Sequence, residues 1–339
     1  MKQKRLLYIG NNLQASGATV TTVETLSAQL RSIGFVVTTA SSVKNKLGRL
    51  FHMLWSVLKN RKEVDYVLID TYSTQNFYFA VAVGNLCRLL RLPYIPILHG
   101  GNLPARLQKS RQQARKLFHS AFMNVAPSMY LYTEFNKEGY TNLVHIPNVI
   151  DIAQYPFQLR NPVKAKLLWV RSFAKIYNPK LALEILKNLG DEGIDASLCM
   201  VGPDKDGSLK ECQEFAKAND LPVRFTGKLE KSDWIQLSKD YDIFINTTNF
   251  DNTPVSIMEA MALGLPVIST NVGGMPFLVT HKKEGNLLPP NDKNAFVQAI
   301  KQYLNEPQEV VAFTKVARKK AESFDWQLVK QQWLSLLKS

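Results

Sequence analysis

The hydrophobic positions of the chain form short aliphatic runs that alternate with longer amphipathic segments. Runs such as residues 5–10 (RLLYIG), 93–98 (PYIPIL) and 243–246 (IFIN) are mostly apolar, as strands are when both faces of a parallel sheet are covered. The segments between the runs repeat apolar residues every three or four positions, which indicates amphipathic helices. This alternation of strand and helix predicts an α/β fold built on parallel sheets.

The length of 339 residues favours two domains over one. Residues 155–166 (YPFQLRNPVKAK) contain two prolines and show no clear period, so they are predicted to form an exposed linker. We therefore predict a first domain over residues 1–155 and a second domain that begins at residue 156.

Composition narrows the class of protein. No run approaches the roughly 18–20 consecutive apolar residues of a membrane span, and the N-terminal MKQKRLLYIG leads into a strand, not into a signal-peptide core. Cys87, Cys199 and Cys212 form no CxxC pair, so we expect buried thiols and neither disulfides nor a zinc site. The sequence predicts a soluble, cytoplasmic protein.

The net charge of +14 lies mostly in the first half of the chain, and residues 71–133 contain no acid. No nucleic-acid-binding motif accompanies the basic residues, so no nucleic-acid partner is expected. Two interpretations stay open: a solvated face, or a surface for anionic lipid headgroups that would make the protein peripheral to the inner face of the cell membrane. Residues 44–61 form a basic amphipathic segment whose apolar side chains are predicted to pack in the core, with interfacial membrane binding as the alternative.

Residues 246–278 (NTTNFDNTPVSIMEAMALGLPVISTNVGGMPFL) combine a polar loop, a helix, a buried strand and a glycine turn. Pro254 suits the first helical turn and Gly264 suits the position after the last turn, so a helix is predicted from about residue 254 to 264. In open parallel sheets, ligands bind beyond the carboxyl ends of the strands, where helix N-termini attract phosphate. The loop before this helix is therefore a candidate anion site.

Two acids flank the start of this helix. Asp251 precedes it and Glu259 lies inside it, eight positions later. Spacing alone favours a plain interpretation, in which Asp251 caps the helix and Glu259 is a solvated helical residue. The alternative is that the two acids reach different hydroxyls of one ligand whose phosphates lie on the helix terminus.

The same stretch resembles the signature of the family 4 (group 1) retaining glycosyltransferases of the GT-B fold. That signature is Glu, seven residues, Glu, then Ala-Met-Ala, Gly-x-Pro-Val and a later Gly-Gly-x-Pro. Asp251 stands where the first Glu is usual, and the other positions fit in register. The fitting residues are Glu259, Ala260, Met261, Ala262, Gly264, Pro266, Val267, Gly273, Gly274 and Pro276.

The resemblance implies a GT-B architecture, in which two Rossmann-like domains face each other across a cleft. It places the nucleotide-sugar site in the second domain, over residues 156–320. The terminal segment, residues 321–339, is then a helix that packs back on the first domain.

The resemblance also implies roles for individual residues. Glu259 is expected to bond the ribose hydroxyls, and Asp251 is expected to contact the donor sugar. His99 follows a predicted strand and precedes two glycines. Such a His is more often a turn residue, but the family has a similar His-Gly near the transferred sugar. Gly17 lies in the loop after the first strand, which in the family contacts the donor phosphates or the acceptor.

One part of the family pattern is displaced. The family's Arg and Lys that neutralise the donor diphosphate fall on Ser172 and Tyr177, so Arg171 and Lys175 are expected to supply the charge from shifted positions. The catalytic set is predicted to be His99, Asp251 and Glu259. The donor-binding set is predicted to be Gly17, Arg171, Lys175, Phe225, Gly227, Asn252, Thr253, Pro254, Val255, Ser256 and Glu259.

These expectations define a metal-independent enzyme without a cofactor, which moves a sugar from a UDP- or GDP-linked donor to a sugar or a lipid-linked acceptor with retention. Bacterial surface-polysaccharide or glycolipid synthesis is the expected setting. Two rivals stay open: a sugar-nucleotide 2-epimerase on the same fold, and a catalytically silent binding module. The displaced Arg/Lys pair and the Asp at position 251 motivate the second rival.

Overall fold

The computed structural model describes residues 3–10, 22–43 and 45–338. The chain divides into two compact units, of which unit 1 comprises Met1–Asn148 with Trp326–Ser339 and unit 2 comprises Val149–Asp325. Each unit is built around a parallel sheet of six strands. Among the described residues, no helix combines the length and the apolar character needed to cross a membrane.

Unit 1 has the strand order β2-β1-β3-β4-β5-β6. Its strands are β1 (Arg5–Ile9), β2 (Val36–Ala40), β3 (Tyr66–Thr71), β4 (Tyr94–Leu98), β5 (Asn124–Ala126) and β6 (Leu143–His145). Its helices are α1 (Thr22–Ser32), α2 (Lys46–Asn60), α3 (Asn76–Leu89), α4 (Leu103–Lys109), α5 (Arg111–His119), α6 (Met129–Lys137) and, at the end of the chain, α14 (Trp326–Lys338).

The central strands of unit 1 are buried over their full length. Every residue of β3 and of β4 is buried, because helices cover both faces of a parallel sheet. Helices α2 to α6 pack against one face through a single apolar cluster. Cys87 lies in this cluster as a buried thiol, as predicted.

Two sequence predictions fail in unit 1. The sequence pattern predicts a single helix from residue 103 to 121, but the backbone leaves the helical region at Ser110 (φ −126°, ψ 47°) and separates α4 from α5. Core packing was expected for the apolar residues of α2, and Leu54 does pack against the core, yet Leu47, Phe51 and Trp55 are exposed. The core face of α2 instead carries Met53 and Val57, because those positions point at the sheet.

Unit 2 has the strand order β12-β11-β10-β7-β8-β9. Its strands are β7 (Ala165–Val170), β8 (Ala196–Val201), β9 (Val223–Gly227), β10 (Ile243–Asn246), β11 (Val267–Thr270) and β12 (Gly285–Leu288). Its helices are α7 (Pro179–Asp191), α8 (Ser208–Ala218), α9 (Lys231–Leu237), α10 (Val255–Leu263), α11 (Met275–Leu278), α12 (Lys293–Asn305) and α13 (Pro307–Glu322). Short 3₁₀ turns lie at Ile152–Gln154, Lys175–Tyr177 and Ser238–Asp240.

Unit 2 also departs from local prediction. Residues 155–166 were predicted to form an exposed linker, but Tyr155 and Arg160 are buried and β7 begins at Ala165. Residues 285–292 (GNLLPPND) have the composition of a turn, but residues 285–288 (GNLL) form the edge strand β12 because they pair with β11 in register. Asn178 before Pro179 is typical of a helix cap, yet its side chain accepts no cap hydrogen bond and its backbone is left-handed (φ 47°). Its Nδ2 donates to Asn291 Oδ1 instead, at 2.8 Å.

Helix α10 is the buried centre of unit 2. It begins and ends within one residue of the prediction, and its residues from Ile257 to Leu263 are all buried. Gly264 ends the helix in the left-handed region (φ 77°), as a glycine after the last turn does. Arg318 donates to the carbonyl oxygen of Ala262 at 2.6 Å, which satisfies an acceptor at the helix C-terminus.

Candidate active site

The residues nominated in unit 2 follow neighbouring strands at one edge of the sheet. Strands β7 and β10 are adjacent and parallel, so the segments after Val170 and Asn246 leave the sheet at the same edge. Arg171 is the first residue after β7, and the loop after β10 carries Asp251 to Pro254. The nominated residues thus come from the carboxyl ends of central strands, where open α/β sheets bind ligands.

Hydrogen bonds hold the two segments together. Thr247 Oγ1 accepts from Trp169 Nε1 at 3.1 Å and lies 2.9 Å from the carbonyl oxygen of Asn178. The backbone N–H of Asn249 donates to the carbonyl oxygen of Ile176 at 2.8 Å. The loop after β10 is therefore fixed to the 3₁₀ turn that follows β7.

Arg171 and Asp251 form an ion pair through Nη2 and Oδ2. Both side chains are largely buried, with 16% and 14% of their surfaces exposed. The guanidinium also lies 4.2 Å from the centre of the Tyr177 ring, in cation–π contact. Burial lowers the pKa of Arg171, and Tyr177 opposes that shift. Arg171 Nε is buried and has no hydrogen-bond partner among the residues that the structure describes.

Lys175 has different surroundings from Arg171. Its side chain is exposed, and its backbone N–H donates to Asp206 Oδ2 at 2.9 Å. A hydrogen bond from Ser208 is the main cause of the lowered pKa of Asp206, followed by the bond from Lys175. The described contacts therefore join Arg171 to Asp251 and Lys175 to Asp206.

Two glycines support the loop that carries Asp251. The N–H of Gly274 donates to the carbonyl oxygen of Asp251 at 3.0 Å. A Cβ at Gly273 would overlap the Asp251 carbonyl oxygen, and a Cβ at Gly274 would overlap that of Asn252. Gly273 is also left-handed (φ 53°), which L side chains rarely adopt. The Gly-Gly pair thus lets the loop lie directly on the backbone after β11.

We predict that Gly274→Ala lowers the free energy of unfolding by about 1–3 kcal/mol, because the new methyl group must displace the backbone of Asn252. Urea titration measures the change. Gly190→Ala is the matched control, since this α7 glycine has open space around its Cβ, and the substitution is expected to be neutral or to stabilise by about 0.5–1 kcal/mol. Equal loss in both variants would contradict the role given to the Gly-Gly pair.

The N-terminus of α10 is open to a ligand. Pro254 precedes the first turn in an extended conformation, no side chain caps the helix, and no acid lies in the first turn. Ser256 Oγ is buried and has no partner within the described ranges. The capping role for Asp251 is therefore wrong: its Oδ1 accepts from the N–H of Asn252 at 2.8 Å. Free N–H groups and a hydroxyl at a helix N-terminus suit an anion.

Glu259 is buried and hydrogen-bonded, so the solvated interpretation is also wrong. Its Oε1 accepts from the Tyr155 hydroxyl at 2.7 Å and lies 2.9 Å from Lys231 Nζ. Burial raises the pKa of Tyr155 far above its ordinary value, and the Glu259 carboxylate adds to the shift. Tyr155 and Lys231 lie outside the predicted set, because no local pattern links residue 155 or 231 to residue 259.

Phe225 and Gly227 lie at the end of β9. Phe225 is half-buried, with its ring centre 6.0 Å from that of Phe173. The carbonyl oxygen of Gly227 accepts from the N–H of Gly202 at 2.8 Å, and Gly202 packs directly on the Arg171 backbone. Thr253 and Val255 are half-buried at the start of α10, and Asn252 is buried beside them.

Unit 1 holds a second buried polar cluster. His99 Nε2 and the Tyr8 hydroxyl both lie 2.8 Å from Asp70 Oδ1, and the Tyr72 ring stacks on the imidazole with centres 5.1 Å apart. Burial raises the pKa of Tyr8, and Asp70 raises it further. Asp70 Oδ2 has no hydrogen-bond partner in the described part of the chain, and Asp70 lines a small cavity beside Gly10.

Asp70 was absent from the predicted site, although a signal for it existed. It is the penultimate residue of β3 while His99 follows β4, and these strands are parallel neighbours with Asp70 opposite Ile97. Gly17, the other residue nominated in unit 1, lies outside the described residues. Within the described ranges, no group of three or more His, Cys, Asp or Glu side chains is arranged to hold a metal ion.

Comparison with known proteins gives a family and a set of relatives. The model of the family "Glycosyl transferases group 1" matches residues 151–320, which is half of the chain. The sulfoquinovosyl transferase SQD2 of Arabidopsis thaliana is 29% identical over 148 residues, which is 43% of this chain and 28% of the relative. The putative colanic acid biosynthesis glycosyltransferase WcaL of Escherichia coli is 29% identical over 192 residues, or 52% and 47% of the two chains. The chain thus spans less than half the length of these curated relatives.

Solved structures match over nearly the full length. Anabaena HepE, in complex with UDP and glucose, has a TM-score of 0.78 at 19% identity and covers 99% of this chain and 100% of its own. The sucrose-phosphate synthase of Thermosynechococcus elongatus has a TM-score of 0.81 at 14% identity, with coverage of 99% and 98%. At these identities the likeness concerns the fold, and it confirms the predicted α/β class with GT-B architecture. Because the family model spans half of the chain, the protein belongs to the group 1 glycosyltransferases.

Proposed function

We propose that the protein transfers a hexose from a nucleotide-diphosphate sugar to an acceptor hydroxyl, with retention and without a metal, as a member of family 4. The observation that carries the proposal is the ion pair between Arg171, which follows β7, and Asp251, which precedes the open N-terminus of α10. A cation, free helix N–H groups and an acid are the groups that a diphosphate joined to a sugar requires.

On this proposal the diphosphate binds the N-terminus of α10 and replaces Asp251 as the ion-pair partner of Arg171. Arg171 Nε, which is buried without a described partner, has an unused N–H to offer a phosphate oxygen. Asp251, once released, can accept hydrogen bonds from hydroxyls of the donor sugar. Lys175 contributes from an exposed position, where screening weakens its effect.

The same groups have a role in the chemical step. Negative charge grows on the leaving diphosphate as the bond to the sugar breaks, and fixed N–H groups with Arg171 stabilise that charge. In other transferases a metal ion does this work. We assign no covalent nucleophile, and retention rests on the likeness to family 4.

Glu259 is proposed to hold the ribose hydroxyls of the nucleotide, with Phe225 and Gly227 beside the base. Tyr155 and Lys231 fix the carboxylate, since both bond its Oε1. HepE binds UDP and UDP-glucose, which makes a UDP-linked donor the first to test, with GDP as the alternative base.

In unit 1, His99 is proposed to contact the transferred sugar, with Asp70 as a positioning residue that orients the imidazole. The acceptor is proposed to be a sugar or a lipid-linked glycan of bacterial surface-polysaccharide or glycolipid synthesis. Relatives named for colanic acid and amylovoran biosynthesis support this class.

The test begins with calorimetric titration of UDP and GDP into the full chain, followed by radiolabelled UDP- and GDP-sugars with membrane extracts. We expect heat with one nucleotide and label in a product that forms only when acceptor is present. In the same assay, His99→Ala is expected to slow transfer and leave nucleotide binding unchanged. A new sugar nucleotide formed from donor alone would indicate the epimerase instead, and no heat with either nucleotide would indicate a silent module.

A further inference from the structure

An apolar stripe on α2 faces away from the core of unit 1. Leu47, Phe51 and Trp55 follow at four-residue intervals, so they lie on one side of the helix. Their exposed fractions are 81%, 71% and 54%, whereas Met53 and Val57 on the core side are buried. Three large apolar side chains therefore form a continuous exposed stripe, and such patches usually mark a surface that binds something.

The helices around the stripe have charge of one sign. Helices α2, α3, α4 and α5 contain no Asp or Glu, and they pack side by side through one apolar cluster. The surface of these helices is therefore basic around the apolar stripe. The exposed basic residues on and next to α2 and α3 are Lys46, Lys59, Arg61, Lys62, Arg88 and Arg91, and they outnumber the exposed acids after α2, Glu63 and Asp65.

The basic residues gather at one end of the stripe. Helices α2 and α3 each connect two parallel strands, so both helices end at the amino edge of the sheet. Lys59 and Lys62 at the end of α2 therefore lie at the same edge as Arg88 at the end of α3. Leu89, which is 79% exposed, extends the apolar surface there.

We propose that this face of unit 1 docks on the surface of an anionic lipid bilayer. The stripe of Leu47, Phe51 and Trp55 inserts among the acyl chains next to the headgroups, with α2 lying parallel to the surface, while the lysines and arginines contact the lipid phosphates. This is the arrangement of interfacial helices, in which apolar burial and attraction to anionic lipids add.

The charge pattern selects the bilayer over a second copy of the chain. A symmetric dimer through α2 would bring the same acid-free helices of both copies together, so like charges would face each other. An anionic bilayer complements the charge and also accepts the apolar side chains. The inference does not depend on the proposed reaction, because it concerns binding alone.

The experiment is co-sedimentation of the full chain with vesicles of phosphatidylcholine, and with vesicles that contain equal parts of phosphatidylcholine and phosphatidylglycerol. We expect binding to the mixed vesicles that weakens with added salt, and little binding to phosphatidylcholine alone. Trp55 also provides a spectroscopic signal, because the other four tryptophans are buried. Its emission should shift to the blue on the mixed vesicles, and Trp55→Phe should remove the shift but keep the binding.

Single substitutions separate the two contributions. Phe51→Ser and Trp55→Ser are each expected to lower the vesicle partition coefficient by about tenfold, because each removes a large apolar group from the interface. Lys59→Gln and Lys62→Gln should each lower it by about fivefold on mixed vesicles. Leu328→Ser is the matched control, since Leu328 is 60% exposed on α14, and it should bind as the parent chain does.

These side chains are exposed, so circular dichroism and thermal unfolding should match those of the parent chain in every variant. Unchanged partition of Phe51→Ser and Trp55→Ser would overturn the proposal. Equal binding to both kinds of vesicle would overturn it too, and so would a dimer in sedimentation velocity that Phe51→Ser dissociates.

Discussion

Glu259→Gln is expected to reduce transfer by about two to three orders of magnitude while the fold stays intact. The carboxylate of Glu259 is proposed to accept hydrogen bonds from two ribose hydroxyls, and bonds to a charged group contribute about 1.5–3 kcal/mol each. The amide keeps an oxygen that can accept from the Tyr155 hydroxyl at its present distance of 2.7 Å. It loses the charge that Lys231 neutralises and that strengthens the bonds to the ligand.

The measurement is kcat/KM with the donor that the screen identifies, together with the Kd for the matching nucleotide. Both should worsen, since a ribose contact acts in the ground state and in the transition state alike. Glu284→Gln is the control: Glu284 is equally buried and lies 3.6 Å from Lys320, but it precedes β12 at the amino edge of the sheet. Turnover by Glu259→Gln at the level of the parent chain would remove Glu259 from the site.

Arg171→Ala is expected to raise the Kd for the nucleotide by about tenfold to a hundredfold, because it removes the charge-assisted hydrogen bonds that Arg171 is proposed to make to the diphosphate. Asp251→Asn should affect nucleotide affinity and the rate of transfer in opposite directions. It frees Arg171 from its ion pair, so UDP or GDP alone should bind at least as tightly as before, yet transfer should fall because the donor sugar loses an acceptor.

Calorimetry measures the nucleotide affinity, and initial rates with saturating donor measure the transfer. Lys175→Ala should weaken nucleotide binding less than Arg171→Ala, since its side chain is exposed. Lys301→Ala serves as the control, because Lys301 on α12 pairs with Glu192, the residue directly after α7. An unchanged donor Kd in both Arg171→Ala and Lys175→Ala would show that neither residue replaces the family's displaced pair.

The centre of unit 2 was predictable from residues that start and stop helices. Pro254 precedes helix α10 and Gly264 follows it, and the structure places the helix at Val255–Leu263. Pairing between distant segments was harder to predict. The GNLL segment has the composition of a turn until β11 pairs with it, and only the completed sheet makes it a strand.

The candidate site shows the same division. Asp251 and Glu259 were found because their spacing lies within one segment, whereas Tyr155 reaches Glu259 from 104 positions away. Asp70 could have been found, because parallel order puts the end of β3 beside the end of β4, and with it beside His99. The exposure of Phe51 could not have been predicted, since α2 has apolar residues on both sides and the sequence does not show which side meets the sheet.

Arg171 and Asp251 balance each other's charge in their ion pair. A free phosphate that took Arg171 would leave Asp251 charged, largely buried and without its cation, so part of the binding energy would be lost. A free sugar would meet an acid that is already paired with Arg171. A sugar nucleotide brings phosphate and hydroxyls together and satisfies both partners at once. The pair would therefore favour the joined molecule over free phosphate and over free sugar.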